Sequence, residues 1–177
     1  MASHPSHPGD ESHTGGTLKL AVISDTHLSR GARRLPDECL RLLSEADRIL
    51  HAGDFVSLAV YEELARLAPV DGVAGNMDAP ELRAIVPPKL VVEHEGARIG
   101  MVHNAGPALR RAERLVEKFP GCQAVVYGHT HVPEAKQLGD VWILNPGSPT
   151  ERRSAPHHGM MELAVENGRL DVRTYVL

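Results

Sequence analysis

Five short segments carry the residues able to do chemistry: Asp25-Thr-His27, Gly53-Asp54, Gly75-Asn-Met-Asp78, His103-Asn104 and Gly128-His-Thr-His131. Carboxylate, imidazole and amide oxygen are good ligands for manganese, iron, cobalt, nickel or zinc, and no thiolate is offered among them. Asp25 and His27 stand two residues apart, as do His129 and His131. In an extended segment each pair faces one side. Asp54 has two oxygens with which to bridge two ions, and Asn76 adds a neutral oxygen. The candidate ligands Asp25, His27, Asp54, Asn76, His103, His129 and His131 are too many for one tetrahedral ion. They suit two ions of higher coordination.

Each segment sits just after a short apolar run that reads as a β-strand. Strands are expected over 18–23, 48–51, 70–74 and 124–127. Three pairs of strands read as hairpins: 89–93 with 98–102 about Gly96, 134–138 with 141–144 about Gly139-Asp140, and 160–165 with 170–176 about Asn167-Gly168. Helices are expected over 36–46, 57–67 with Ser57 as N-cap, and 107–119. Strands alternating with helices, followed by a β-rich second half, point to an α/β fold of two packed sheets with helices outside. In such sheets ligands gather at the carboxyl ends of the strands, so the five segments converge on one rim.

The remaining composition narrows the function. A net charge of −4 and 3% aromatic residues argue against an extended nucleic-acid track. Two unpatterned cysteines, Cys39 and Cys122, fit a reducing cytoplasm rather than a disulfide framework. No run approaches a membrane span, and the N-terminus lacks the apolar core of a secretory signal. Residues 1–16 are rich in Pro, Gly, Ser and His and read as a disordered tail, leaving one domain over 17–177. His4, His7 and His13 belong to that tail and not to the site. His51 lies inside a strand three residues before Asp54 and reads as a satisfied core residue or one that supports a ligand from behind, whereas His94, His157 and His158 read as surface. Arg110, Arg111 and Arg114 read as the solvated face of a helix.

The motifs Asp25-x-His27, Gly53-Asp54, Gly75-Asn76-x-Asp78, His103, Gly128-His129-x-His131 and Asn145-Pro-Gly-Ser148 together resemble the calcineurin-like metallophosphoesterase superfamily. The short chain and the Asn-Pro-Gly-Ser segment are similar to its small bacterial and archaeal phosphodiesterase branch. The resemblance covers about residues 17–177 and implies an αββα sandwich of two mixed sheets. It implies one metal on Asp25, His27, Asp54 and His131 and a second on Asp54, Asn76, His103 and His129, with Asp54 bridging. Asp54, Asn76 and His103 would carry the catalysis, Asp78 would orient the motif from behind, and Arg152 or Arg153 would hold a phosphate oxygen. The implied cofactors are two divalent ions, manganese first, with nickel, cobalt, iron or zinc as alternatives.

Met77 departs from the superfamily, many of whose members carry a leaving-group histidine at that position. A thioether donates no proton. The resemblance therefore implies a hydrolase that uses a metal-activated hydroxide on a small phosphodiester with a good leaving group. Two rivals stay open: a phosphomonoesterase or nuclease on the same metals, and a partner-binding scaffold like the retromer subunit of vacuolar sorting. Nothing in the sequence specifies an oligomeric state.

Overall fold

The computed structural model describes residues 16–28 and 34–177. Its first half runs β1 (Leu18–Ile23), α1 (Asp37–Ser44), β2 (Arg48–His51), α2 (Leu58–Ala65), β3 (Val70–Gly72) and α3 (Pro80–Arg83). The second half runs β4 (Lys89–His94), β5 (Ala97–Val102), α4 (Arg111–Lys118), β6 (Ala124–Tyr127), β7 (Glu134–Leu138), β8 (Val141–Asn145), β9 (Gly159–Glu166) and β10 (Arg169–Val176). One sheet has the order β10-β9-β1-β2-β3 and the other β4-β5-β6-β8-β7. Strands β1, β2 and β3 are mutually parallel, as are β5, β6 and β8; the other strands join antiparallel.

Apolar runs such as Leu20-Ala-Val-Ile23 are buried on both faces, so alternate residues feed different layers. Leu20 and Val22 enter the cluster between the sheets with Leu50, Ile99, Met101, Val126 and Leu163. Ala21 and Ile23 face the other way, against Cys39 and Leu43 of α1, Leu64 of α2 and Leu82 of α3. On the far side Leu115 and Phe119 cover Val125, Tyr127 and Ile143. Three apolar clusters thus separate four layers, an αββα sandwich. Both sheets direct the carboxyl ends of their parallel strands to one rim.

Differences from the sequence reading have local causes. The short helix α3 is additional. Helix α4 begins at Arg111 rather than at Pro107, with Arg110 left-handed (φ 53°) in front of it. Arg114 folds back there and donates to the carbonyls of Ala105, Pro107 and Leu109, fixing a loop where a first helical turn was expected. Arg111 donates to Tyr127 Oη (3.2 Å) and the Gly106 carbonyl. Arg111 and Arg114 therefore clamp a loop and do not form a solvated face. Ser57 stands at the N-cap of α2 without a side-chain capping bond. Asn167-Gly168 turns with both φ positive (49° and 75°), as a type I′ hairpin requires. The expected tail over 1–16 lies outside the described residues apart from Gly16. Among the described residues no helix is long and apolar enough to cross a membrane.

Candidate metal centre

Five of the six loops that follow the parallel strands bring candidate ligands to one place. Asp25 and His27 follow β1, Asp54 follows β2, Asn76 follows β3, His103 follows β5, and His129 and His131 follow β6. The pairs do not converge through extended backbone. Asp25, His27, Asp54, His129 and His131 all have positive φ, between 41° and 69°. Left-handed backbone costs a non-glycine residue about 1–2 kcal/mol, and strain of this kind clusters at functional sites. The turns are possible because two glycines admit neighbouring loops at van der Waals limits. A Cβ on Gly75 would overlap Asp54 Oδ1, and one on Gly128 would overlap Ser24 Oγ.

The atoms form two poles that share Asp54. In the first, Asp25 Oδ1 lies 3.3 Å from His131 Nε2 and 3.8 Å from His27 Nε2. His27 Nε2 lies 3.5 Å from Asp54 Oδ2. In the second, the same Asp54 oxygen lies 3.3 Å from His103 Nε2. Asn76 Oδ1 lies 3.0 Å from both His103 Nε2 and His129 Nδ1. Asp54 Oδ1 is taken up by the Met77 N–H at 2.8 Å, which leaves Oδ2 to face both poles.

Hydrogen bonds behind these atoms set the tautomers. A carbonyl oxygen only accepts, so His103 Nδ1–H donates to Ala52 O at 2.7 Å and His131 Nδ1–H donates to Glu151 O. Each ring then presents its Nε2 lone pair to the centre, the usual arrangement behind a metal-bound imidazole. Asp78 accepts from the backbone N–H groups of Asp54, Val56 and Gly75, at 3.2, 2.7 and 2.7 Å, and ties the β2 and β3 loops together. His51 is fully buried between Thr26 Oγ1 and the Gly53 N–H, and burial pushes its imidazole down to about 3.

The residues fit divalent cations. Asp25 Oδ1, His27 Nε2 and His131 Nε2 are buried with no hydrogen-bond partner. Stranding three polar atoms in one pocket is costly unless a cation lies among them. Metal–ligand distances of about 2.0–2.2 Å place neighbouring ligands about 3–3.5 Å apart, close to the separations found. Two buried triads qualify by proximity: Asp25, His27 and His131, and Asp25, Asp54 and His103. Charge agrees with geometry. Burial alone raises Asp25, yet the imidazoles of His131 and His27 more than reverse this and hold its carboxyl well below the usual range. Burial likewise opposes Asp54, and His103 brings it down. His103 moves the other way, raised by Asp54 and Asp25 against its own burial. His129 is lowered, first by burial and then by the charge of His103.

Other site residues lie where sequence spacing gave no direction. Met77 is 54% exposed on the rim. Arg152 is turned away, donating to the Pro156 carbonyl, while the charge of Arg153 is felt at His129. His94 is not simply exposed, because it packs 3.0 Å from Asp71 Oδ2; His157 and His158 are half-buried. Four residues escaped the sequence reading. Ser24 Oγ donates to Asp25 Oδ2 at 2.6 Å, and Thr26 Oγ1 to the Asp54 carbonyl. Thr150 Oγ1 donates to the Thr26 carbonyl, and Glu151 Oε2 lies 3.8 Å from His27 Nε2. The interleaving of Ser24 and Thr26 with Asp25 and His27 was the available signal. Ser148 Oγ donates to Asp25 O at 2.7 Å, and Asn145 Nδ2 to Gly128 O at 3.1 Å, so the Asn-Pro-Gly-Ser segment pins two ligand loops.

Comparison with known proteins agrees with this construction. Residues 18–168 match the calcineurin-like phosphoesterase superfamily domain. A probable metallophosphoesterase of Methanocaldococcus jannaschii is 37% identical over 171 residues, covering 91% of this chain and 85% of the relative. A phosphodiesterase of the same organism is 25% identical over 146 residues, covering 73% and 83%. The crystal structure of Chaetomium thermophilum Vps29 shares the fold, with a TM-score of 0.73 at 21% identity over 90% of this chain and 97% of that one. From the sandwich, the rim and the family match together, the chain belongs to the calcineurin-like phosphoesterase superfamily.

Proposed function

We propose that the protein is a phosphodiesterase working with two divalent cations. The observation that carries the reading is the trio of buried, unpartnered atoms, Asp25 Oδ1, His27 Nε2 and His131 Nε2, facing one another across the first pole. Bound there, divalent cations lower the pKa of water and polarise phosphoryl oxygens. Asp25, His27, Asp54 and His131 would hold one cation; Asp54, Asn76, His103 and His129 would hold the other. Manganese suits this oxygen and nitrogen donor set, as do nickel, cobalt, iron and zinc.

The chain's own groups position the reaction. Asp78 fixes the two loops that carry Asp54 and Asn76. Ala52 and Glu151 carbonyls fix the rings of His103 and His131. Met77 contributes its backbone N–H to Asp54 but has no side-chain proton for a leaving group. That favours diesters whose leaving group departs without help. The activity carried in the name of the 25%-identical relative supports the diester reading. The fold shared with Vps29 is what favours the rival scaffold reading.

The test is metal content together with turnover. After manganese loading, a His4/His7/His13→Ala variant, which removes the tail imidazoles, is expected to hold two ions per chain. It is expected to cleave bis(4-nitrophenyl) phosphate at least about 10²-fold faster than an alkyl diester, the usual worth of a missing general acid. Equal rates on the two esters defeat the preference for a good leaving group. A chain that takes up no cation and cleaves neither is the scaffold.

A further inference from the structure

The second pole opens into a cavity of about 400 Å³ lined by Asn76, His103, His129, Asn104 and Lys118, with no carboxylate on its wall. A neighbouring cavity of about 510 Å³ continues outward along α4, and Asn104 and Lys118 line both. The two make one groove from the candidate cations to the last turn of α4. Its outer part is lined by Arg114 and Lys118, with Glu117 as the one acid.

These cations are not neutralised by the protein. Arg114 spends its N–H groups on the carbonyls of Ala105, Pro107 and Leu109, which hold it in place and leave its charge intact. No ion pair among the described residues involves Lys118. Asn104 Oδ1 accepts from the Gly106 N–H at 2.8 Å, which turns the residue into the loop and leaves its NH2 as a donor. No Phe, Tyr or Trp lines either cavity, and the two imidazoles there, His103 and His129, are candidate cation ligands, so the outer groove gives a nucleobase no stacking platform.

We propose that this groove is a subsite for one ester arm of the substrate, and that Lys118, with Arg114 behind it, pairs with a second phosphate on that arm. The proposal rests on the phosphodiesterase reading and adds a substrate class: diesters that carry a further phosphate, recognised by charge and not by a base. Lys118 is a specificity-determining residue in this scheme. Its ammonium is a point charge on a flexible stem, suited to an anion whose position varies between substrates.

The experiment compares two esters that differ by one phosphate, thymidine 5′-(4-nitrophenyl phosphate) with and without a 3′-phosphate, on the manganese-loaded full chain. The wild type is expected to favour the phosphorylated ester about fivefold to tenfold in kcat/KM, a solvent-screened charge-assisted contact. The preference is expected to shrink with added salt. Lys118→Gln is expected to bring the ratio near one, and Lys118→Arg to keep it. A wild-type ratio of one, or an unchanged ratio in Lys118→Gln, overturns the proposal. Should neither ester be cleaved, the phosphodiesterase reading fails and the subsite is judged separately by pyrophosphate calorimetry. Weaker binding by Lys118→Gln then supports the subsite, and equal binding overturns it.

Discussion

Asp25, His27 and His131 are 0%, 8% and 0% exposed, and each leaves a buried ligand atom without a hydrogen-bond partner. Asn76 and His129 lie at the open side, and the Asn76 oxygen sits at 3.0 Å from both His103 and His129. The two poles use similar chemical groups and share Asp54, but the first leaves three buried atoms unpartnered, whereas in the second Asn76 Oδ1 is placed to accept from His129 Nδ1–H. A cation in the first pole relieves buried polar groups that have no other partner. One in the second competes with the contact between Asn76 and His129 and lies next to the groove along α4. The first pole therefore reads as a tight, fold-coupled site, and the second as an exchangeable one on the open side.

The largest effect expected from this contrast comes from removing a ligand at each pole. Asp25→Ala is expected to abolish retention of one cation through dialysis and to lower diester turnover by at least about 10³-fold, several kcal/mol of lost electrostatic stabilisation. His129→Ala is expected to keep the first cation and to weaken the second by about 10–100-fold, with turnover recovered by excess manganese. Thermal denaturation gives a second readout. At a cation concentration about 100 times Kd, binding adds about 2.7 kcal/mol, or about 5–10 °C in Tm for a chain of this size. Most of that gain is expected to survive His129→Ala and to vanish in Asp25→Ala. Equal losses in the two variants erase the distinction between the poles.

A smaller change tests the support behind the shared ligand. Asp78 takes three backbone N–H groups from the Asp54 and Gly75 loops and contacts no candidate ligand side chain. Asp78→Asn removes one acceptor oxygen and the charge that strengthens all three bonds. The expected cost is about 1–3 kcal/mol of stability. Cation affinity is expected to fall about 10–100-fold, mainly at the second pole, because Asn76 sits inside the turn that Asp78 closes. An isothermal titration in which both sites weaken equally removes that assignment.

Much of this arrangement was legible before the fold. Apolar runs such as Ala124-Val-Val-Tyr127, ended by a glycine, give strand and rim directly, because a strand buried on both faces has little freedom in composition. The seven candidate ligands were legible by type and by their place after the strands. The backbone that aims them was not. Positive φ at Asp25, His27 and Asp54 is imposed by loops packing against one another, through Ser148 and Asp78, and leaves no periodic trace. Helix α4 shows the same limit: its amphipathic pattern is correct, but its start is set by Arg114 reaching back to three carbonyls. Arg152 and Arg153 were equivalent in sequence, and the left-handed turn at Arg153 (φ 48°) is what separates them.

The smallest effect comes from the opposite end of the strands, where a carboxylate has its cation built into the chain. Asp71 on β3 accepts two hydrogen bonds from Arg48, both at 2.9 Å, and a third contact from His94 at 3.0 Å, which ties β3 of one sheet to β4 of the other. Burial opposes ionisation of Asp71, but Arg48 and His94 prevail and its carboxyl lies below the ordinary value. A folded value below the unfolded one adds stability that is present above pH about 4 and lost as pH falls through the folded value. Asp71→Asn is therefore expected to cost about 1 kcal/mol near neutrality, about 2–4 °C in Tm, and progressively less as the solution is acidified. Because Arg48 supplies the positive charge, that decrement is expected to be the same with manganese and with chelator, unlike the loss at Asp25. A decrement at Asp71 that depends on the added cation would show that coupling to metal is general to buried carboxylates in this fold and not a property of the first pole.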